Sequence, residues 1–322
     1  MKAIVQSRYG SPDDVLELAD VEEPTLRDDE VLIRVLAAPV AGDDWHLMRG
    51  LPYVARFETG LFKPKHSIPG REIAGLVAAV GARTKSFKPG DAVFGWCGGA
   101  LAEYAAASEE TIALKPANLT FEEAAALPIS GLTALQALRA AGPIKPDQRV
   151  LINGASGGVG SFAVQLARCY GADVTAVCST RNLELVWALG ANRTIDYTKQ
   201  DFARGDASYD LIVDVVGNRR LADCRRALAP GGTLVLVGGT GGRWFKGTQR
   251  FLTALVLTPF VSQTLRPLIH SNNKRDLLEL KRLIESGGVR PVIDARYPLS
   301  DVKAAIRRLG DGHGRGKVVL TV

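Results

Sequence analysis

Eleven residues near the middle of the chain, Val150-Leu151-Ile152-Asn153-Gly154-Ala155-Ser156-Gly157-Gly158-Val159-Gly160, restrict the fold more than any other stretch. Arg149 to Asn153 reads as a buried strand, and Val159 to Tyr170 as a helix with Phe162, Ala163, Leu166 and Ala167 at apolar spacing. In the turn between them Ala155, Gly157 and Gly160 fill the three positions of G-x-G-x-x-G, with Ala at the first. Gly157 leaves room for a diphosphate to approach the backbone, and Gly160 lets helix and strand pack closely. The helix start, with its free N–H groups and the positive end of its dipole, then faces the anion. Ser156, Gly158 and Val159 complete the cradle. Such a pattern also describes a plain strand–helix turn. Here a second strand, Asp173 to Cys178, closes a βαβ unit of the right length, which points to dinucleotide binding.

The rhythm continues beyond that unit. Asn182 to Leu189 reads as a helix stopped by Gly190, Leu211 to Val215 as a strand, Leu221 to Leu228 as a helix, and Thr233 to Val237 as a strand. This alternation predicts a doubly wound α/β sheet, parallel and covered on both faces. Helices over Phe121 to Leu127 and Leu132 to Ala141 precede it. The first third is different: Ala3 to Val5, Val31 to Val35, Ile73 to Val80 and Ala92 to Gly95 are short apolar runs separated by Gly, Pro and Asp clusters such as Lys88-Pro89-Gly90-Asp91. Strands without intervening helices predict a mainly β, barrel-like unit up to about residue 125. After a helix near 275–286, the tail from Lys317 to Val322 returns to strand chemistry.

The end of the second strand discriminates between coenzymes. NAD-binding chains place Asp or Glu there to accept hydrogen bonds from the adenosine ribose. This chain has Cys178-Ser179-Thr180-Arg181-Asn182. Arg181 can clamp a 2′-phosphate, and the hydroxyls of Ser179 and Thr180 can donate to it. The expectation is NADP(H). The other reading of Arg181, a solvated helix-start residue, stays open.

Composition removes several classes. With 40 basic and 34 acidic side chains the net charge is +6, without a run of five or six like charges, so neither a nucleic-acid partner nor a membrane tether is expected. Four scattered cysteines do not make a disulfide scaffold. The most apolar late stretch, Phe251 to Val261, contains Pro259 and falls far short of the ~20 residues of a membrane span. Met1 to Val5 enters a strand pattern with no signal-peptide core. The expectation is a reducing, cytoplasmic location.

Several blocks in one order resemble the medium-chain dehydrogenase/reductase superfamily over essentially the whole chain, and within it the zinc-free quinone oxidoreductase branch. They are Pro69-Gly70-Arg71-Glu72-Ile73-Ala74-Gly75, Gly99 to Tyr104, Ala124 to Pro128, Gly131-Leu132-Thr133-Ala134, Asn153 to Gly160, Leu189-Gly190-Ala191 with Asp196-Tyr197, and Gly312 to Val319. The resemblance implies a GroES-like substrate domain over 1–125, a Rossmann domain over 126–267, a return segment of the substrate domain over 268–322, a cleft between the domains and a homodimer. It places Thr133 near the nicotinamide, Ser179 and Tyr197 near the adenosine phosphate, Val216 and Gly217 along the ribose, Gly238 on the nicotinamide side, and Lys317 in the cleft. For Thr133 and Lys317 the alternatives are helix surface and solvated strand entry.

Zinc-dependent relatives carry a Cys within the stretch matching Pro39 to Asp43 and a His at the position of Arg71; both ligands are missing here. His46, His66, His270 and His313 are scattered singly, so no metal is expected. Without a Lewis acid, alcohol oxidation is hard. Hydride delivery to a polarised acceptor, a quinone or α,β-unsaturated carbonyl, is easier. On the loop Asp43 to Tyr53 the candidates are Asp44, His46 and Tyr53, with His46 or Tyr53 as proton or hydrogen-bond donor, Asp44 matching the family's Asp or only bracing the loop, and Trp45 and Tyr53 as flat walls. Relatives usually have Asn where this chain has Ala41 and often Tyr at His46. Two other readings stand beside the reductase: a 2-enoyl thioester reductase with Arg243, Lys246 and Arg250 as a basic rim, and a non-catalytic NADP(H)-binding sensor.

Overall fold

The computed structural model describes residues 1–205, 208–239, 244, 247, 249–310 and 314–322. The chain divides into two units, one of Met1–Ile129, Asn272–Gly287 and Pro291–Val322, the other of Ser130–Ser271 with Gly288–Arg290.

The first unit opens with the antiparallel pair β1 (Lys2–Gln6) and β2 (Leu16–Asp20). Then come β3 (Glu30–Val40), β4 (Glu72–Val80), β5 (Ala92–Trp96), β6 (Tyr104–Ser108) and β7 (Ile112–Leu114). β3 is long enough for β6 to pair with its first half while β4 runs along its other edge. Inward residues Val31, Ile33, Val35, Ile73 and Val93 alternate with more exposed ones and join Ile4, Leu101 and Ile112 in one core. The segment expected as a loop at Asp43 begins with a helix, Gly42–Met48. Its cap comes from the third helical residue: Asp44 Oδ2 accepts the N–H of Ala41 at 2.7 Å.

The second unit holds β8 (Arg149–Asn153), β9 (Asp173–Cys178), β10 (Arg193–Asp196), β11 (Tyr209–Asp214), β12 (Leu228–Leu236) and β13 (Thr264–Pro267). Their order is β10-β9-β8-β11-β12-β13, and every neighbouring pair is parallel. This is the doubly wound arrangement, with strand order reversing between β8 and β11. Register then matters: Asn153 lies opposite Asp214, and Asp196 opposite Cys178, so the carboxyl ends of four strands are level. The helix Gly158–Cys169 buries Phe162, Ala163, Val164, Leu166 and Ala167. Phe251 to Val261 becomes the helix Gln249–Leu257 and a 3₁₀ turn, Thr258–Phe260, and the helix packs on β13.

The chain then returns to the first unit with β14 (Ile293–Pro298) and β15 (Lys317–Thr321). β15 enters between β14, to which it is parallel, and β3, to which it is antiparallel, with Val318 opposite Val40. It completes the seven-stranded sheet β14-β15-β3-β4-β5-β7, with β6 on β3. No helix among the described residues is long and apolar enough to cross a membrane.

Candidate functional site

In the second unit, β8 ends at Asn153 and the chain turns through Gly154 at φ +89°. The N–H groups of Gly154 and Ala155 donate to Val177 O at 3.1 and 3.0 Å, fixing the turn to the end of β9. A Cβ on Gly160 would sit 2.0 Å from Gly154 O, so helix and strand approach at a distance only glycine permits. On Gly157 a Cβ would meet nothing closer than 3.6 Å, which leaves the backbone there open to a ligand. Gly157 is the N-cap and supplies no side-chain cap, so the first-turn N–H groups from Gly158 to Gly160 have no partner in the helix itself. Ala155 is fully buried beneath the turn. Ser156 accepts a hydrogen bond from Asn182 Nδ2 at 2.9 Å. Asn182 Oδ1 is buried without a partner. An uncapped helix start with an orphaned buried oxygen beside it fits a diphosphate with its ribose hydroxyls. Sequence pattern alone did not single out Asn182, because its role depends on a contact 26 residues back along the chain.

At the end of β9, Ser179 is half-buried while Thr180 and Arg181 are exposed. Tyr197 N donates to Cys178 O at 3.0 Å, bringing the exposed Tyr197 to the same edge. The acid missing from β9 is present in space on the neighbouring strand: Asp196. It accepts hydrogen bonds from Thr180 Oγ1 at 2.5 Å and from Thr198 N and Oγ1 at 3.0 and 2.7 Å. The Thr180 bond leads in holding its carboxyl below the usual carboxylate range, with the Thr198 bonds adding to it against burial. Asp196 therefore serves to fix the two threonines.

Where strand order reverses, Asp214 is fully buried and every bond to it is short. Oδ1 accepts from Asn153 Nδ2 at 2.8 Å and Gly217 N at 2.9 Å, and Oδ2 from Arg250 Nη2 at 2.8 Å. This network shapes the Val216-Gly217 turn, with Gly217 at φ +71°. Gly238 lies against it, where a Cβ would be 2.2 Å from Val215 O. Arg250, expected in a basic rim, is instead turned inward onto Asp214; Arg243 and Lys246 lie outside the described residues, as do Gly312 and His313. Thr133 is buried in the helix Pro128–Arg139, not on its surface.

In the first unit a cavity of about 360 Å³ is walled by Leu47, Met48, Ile68 and Leu101, with Tyr9, His66, Asp44 and Arg71 among its polar lining. Asp44 thus reaches the cavity, whereas His46 and Tyr53 do not line it. The Tyr53 ring lies 4.9 Å from the Arg56 guanidinium, which also stands 4.6 Å from the ring of Tyr9. Trp45 packs on the core against Gly310. Neither aromatic lines this cavity, and each is held by a loop or core contact that local sequence does not announce. Lys317, expected in the cleft, is 3% exposed and donates to Glu72 Oε2 at 2.7 Å; Glu72 Oε1 accepts the Ile129 N–H at 2.8 Å.

Arg71, at the position of a zinc-ligand histidine in zinc-dependent relatives, is paired with carboxylates. Arg71 Nη2 donates to Asp43 Oδ2 at 2.8 Å and stands 3.5 Å from Asp44 Oδ1. Burial pushes the Asp43 carboxyl up, but the charge and hydrogen bond of Arg71 outweigh it and hold the group at about 2. Burial raises Asp44, opposed by Arg71 and reinforced by the charge of Asp43. Burial drives the Cys97 thiol up to about 12. Among the described residues no three His, Cys, Asp or Glu side chains converge. This donor set does not fit a zinc ion.

The alcohol dehydrogenase GroES-like domain family matches residues 27–117, and the zinc-binding dehydrogenase family matches residues 189–320. The chloroplast envelope quinone oxidoreductase homolog of Arabidopsis thaliana is 32% identical, covering 99% of this chain and 98% of its own. The NADPH-dependent alkenal/one oxidoreductase of the same plant, also chloroplastic, is 35% identical over 99% of this chain and 79% of its own. Among solved structures, the quinone oxidoreductase from Coxiella burnetii superposes with a TM-score of 0.85 at 31% identity, covering 100% of this chain and 99% of its own. With both halves of its architecture matched and these relatives aligned over nearly all of it, the chain belongs to the quinone oxidoreductase branch of the medium-chain dehydrogenase/reductase superfamily.

Proposed function

We propose that the chain is an NADPH-dependent reductase of quinones and α,β-unsaturated carbonyls that works without zinc. The observation that carries this reading is the uncapped glycine turn of the second unit, built for a dinucleotide, in a chain whose position for a zinc-ligand histidine holds Arg71 in an ion pair. Relatives named as quinone and alkenal/one oxidoreductases, one of them NADPH-dependent, support the acceptor class and the coenzyme.

The first-turn N–H groups from Gly158 to Gly160 hold the diphosphate, with Ala155, Ser156 and Gly157 shaping the turn. Val216, Gly217 and Gly238 border the ribose and nicotinamide, and Thr133 belongs to the same set. Ser179, Arg181 and Tyr197 take the 2′-phosphate, while Thr180, whose one hydroxyl proton goes to Asp196, shapes the edge beside them. Bound coenzyme supplies a hydride. The apolar walls of the first unit's cavity receive a small flat acceptor and exclude water from it. Asp44 braces the loop beside it through Ala41, and His46 and Tyr53 belong to the loop that the acceptor meets. We assign Lys317 to Glu72 instead of to the coenzyme.

Four free thiols suit a reducing compartment, and we place the protein in the cytoplasm. The exposed Leu252, Leu255, Val256 and Phe260, beside the sheet edge at β13, suit a homodimer contact.

The test is oxidation of NADPH with 1,4-benzoquinone and with an enone, followed by absorbance, in the presence and absence of EDTA. Turnover indifferent to EDTA is the expected result; tight NADPH binding without turnover supports the sensor reading. Arg181→Ala should raise KM for NADPH far more than for NADH, by about tenfold or more if one charge-assisted contact of ~1.5–3 kcal/mol is lost. Equal changes contradict the phosphate role.

A further inference from the structure

Arg71 departs from the backbone at a closely fixed point. Gly70 before it has φ +96°, and a Cβ there would lie 2.8 Å from both the backbone N and the Cγ of Leu101. The carbonyl of Arg71 accepts the Cys97 N–H at 3.1 Å. From this anchor the side chain lines the cavity of the first unit with its guanidinium set between Asp43 and Asp44. Its bonds use Nη2 alone. Nε is buried without a partner, and Nη1 bonds to no described residue in a side chain that is 38% exposed. Donors are thus left over after both carboxylates are served. Leu47, Met48, Ile68 and Leu101 line the same cavity beside polar groups such as Tyr9, Glu58, Lys65 and His66, and their apolar surface strengthens a charge-assisted bond made there.

We propose that Arg71 receives the carbonyl oxygen of the acceptor, so that a fixed guanidinium stands where zinc-dependent relatives carry a metal ligand. The inference rests on the reductase reading and names the group that meets the oxygen. When hydride forms the new C–H bond at the β-carbon of an enone, the C=C pair moves into the bond between the α-carbon and the carbonyl carbon. The C=O pair moves onto oxygen. Arg71 donates a hydrogen bond to that oxygen and transfers no proton, because guanidinium stays protonated at any working pH. The carbonyl re-forms as the α-carbon takes a proton from water. Asp43 and Asp44 are positioning residues: they hold the guanidinium where the charge develops, so little reorganisation accompanies the reaction.

p-Nitrophenol tests this without coenzyme, since its phenol and phenolate forms differ in colour and the phenolate imitates the anionic oxygen. Bound to saturating wild-type protein, it should ionise at a lower pH than in free solution, with at least about a tenfold gain in acid strength if one charge-assisted bond forms. Arg71→Met should cancel that gain while NADPH affinity stays unchanged, with circular dichroism at neutral pH checking that the variant is folded. Should Arg71→Met fail to fold, Arg71→Gln takes its place, keeping a polar side chain without the charge, and should cancel most of the gain. In turnover, Arg71→Met should lower kcat/KM for an enone by about 10²–10³-fold, the loss typical of one oxyanion donor, and Arg71→Lys should restore part of it. No change in nitrophenol ionisation with wild type, or a change that survives Arg71→Met, overturns the assignment. If wild type reduces no enone or quinone but shifts nitrophenol through Arg71, the reductase reading fails and the Arg71 site stands. If turnover is present and indifferent to Arg71→Met, the Arg71 site fails alone.

Discussion

Single residues in this chain owe their roles to partners far away in sequence. Lys317 and Glu72 are 245 positions apart, yet they form a pair in which both members are 3% exposed. Lys317→Met leaves a charged carboxylate in that site, and urea unfolding should show a loss of about 3–5 kcal/mol. The double variant with Glu72→Gln should recover most of it. The acidic neighbours of Arg71 behave oppositely to each other with pH. Asp43 is held at about 2 against an ordinary 3.8, so the stability it contributes is complete above 3.8 and disappears as the pH falls through about 2. Asp44 is raised, so its ionised form opposes folding and protonation relieves that opposition. Carboxyl carbon NMR should find Asp43 the later of the two to take up a proton as acid is added. In Arg71→Met, Asp43 should titrate at a higher pH, and acid unfolding should begin at a higher pH. None of these pairings was legible from spacing. Residue types at Asp43, Arg71 and Lys317 were visible, but which charge meets which is decided by sheet register.

Among the elements, the β8–turn–helix segment was readable because its constraints are local: an apolar run, a glycine turn and an amphipathic helix follow one another directly. Gly160 is its tightest point. Gly160→Ala places a methyl against Gly154 O and Ala155 Cα, both backbone atoms that cannot rotate away. The expected cost is about 1–3 kcal/mol of stability with a marked loss of NADPH affinity, measured by denaturation and calorimetry. If affinity is unchanged, the turn is only a structural corner. Less local elements were harder to read. The helix Gly42–Met48 starts on a glycine after an alanine N-cap, and its cap is an aspartate reaching back from inside. β13 has four residues and ends in Pro267, which suits a sheet edge and leaves little pattern. Asn182, Asp196 and Asp214 gained their places at the site from strands aligned at their carboxyl ends, a property of the assembled sheet.

At the scale of the whole molecule, the chain builds two units with separate apolar cores, one around Ile33, Ile73 and Leu101 and the other around Leu151, Ile212 and Leu234. A coenzyme held by the second unit stabilises that unit directly. Calorimetric unfolding with NADPH at 100 times its Kd should therefore raise the transition of the second unit by the equivalent of about 2.7 kcal/mol. A transition assigned to the first unit, by the fluorescence of Trp45 and Trp96, should move less. Equal movement of both would show that the units unfold together. The class of fold and the coenzyme were legible because strand and helix alternate in long, regular order. The cavity of the first unit was not, since Tyr9, Asp44, Arg71 and Leu101 come from four separate stretches.

The position of β15 carries a consequence for synthesis. This strand is the last regular element, yet it lies inside the sheet, between β14 and β3. A ribosome moving from the first codon releases the parallel-stranded nucleotide fold whole, while the opening segment, made earliest, still waits for its inner strand. Amino-terminal residues are thus completed by carboxy-terminal ones. A premature stop codon late in the message would leave Ala37 to Val40 without a neighbour on that side and free an intact nucleotide fold joined to an unfinished one.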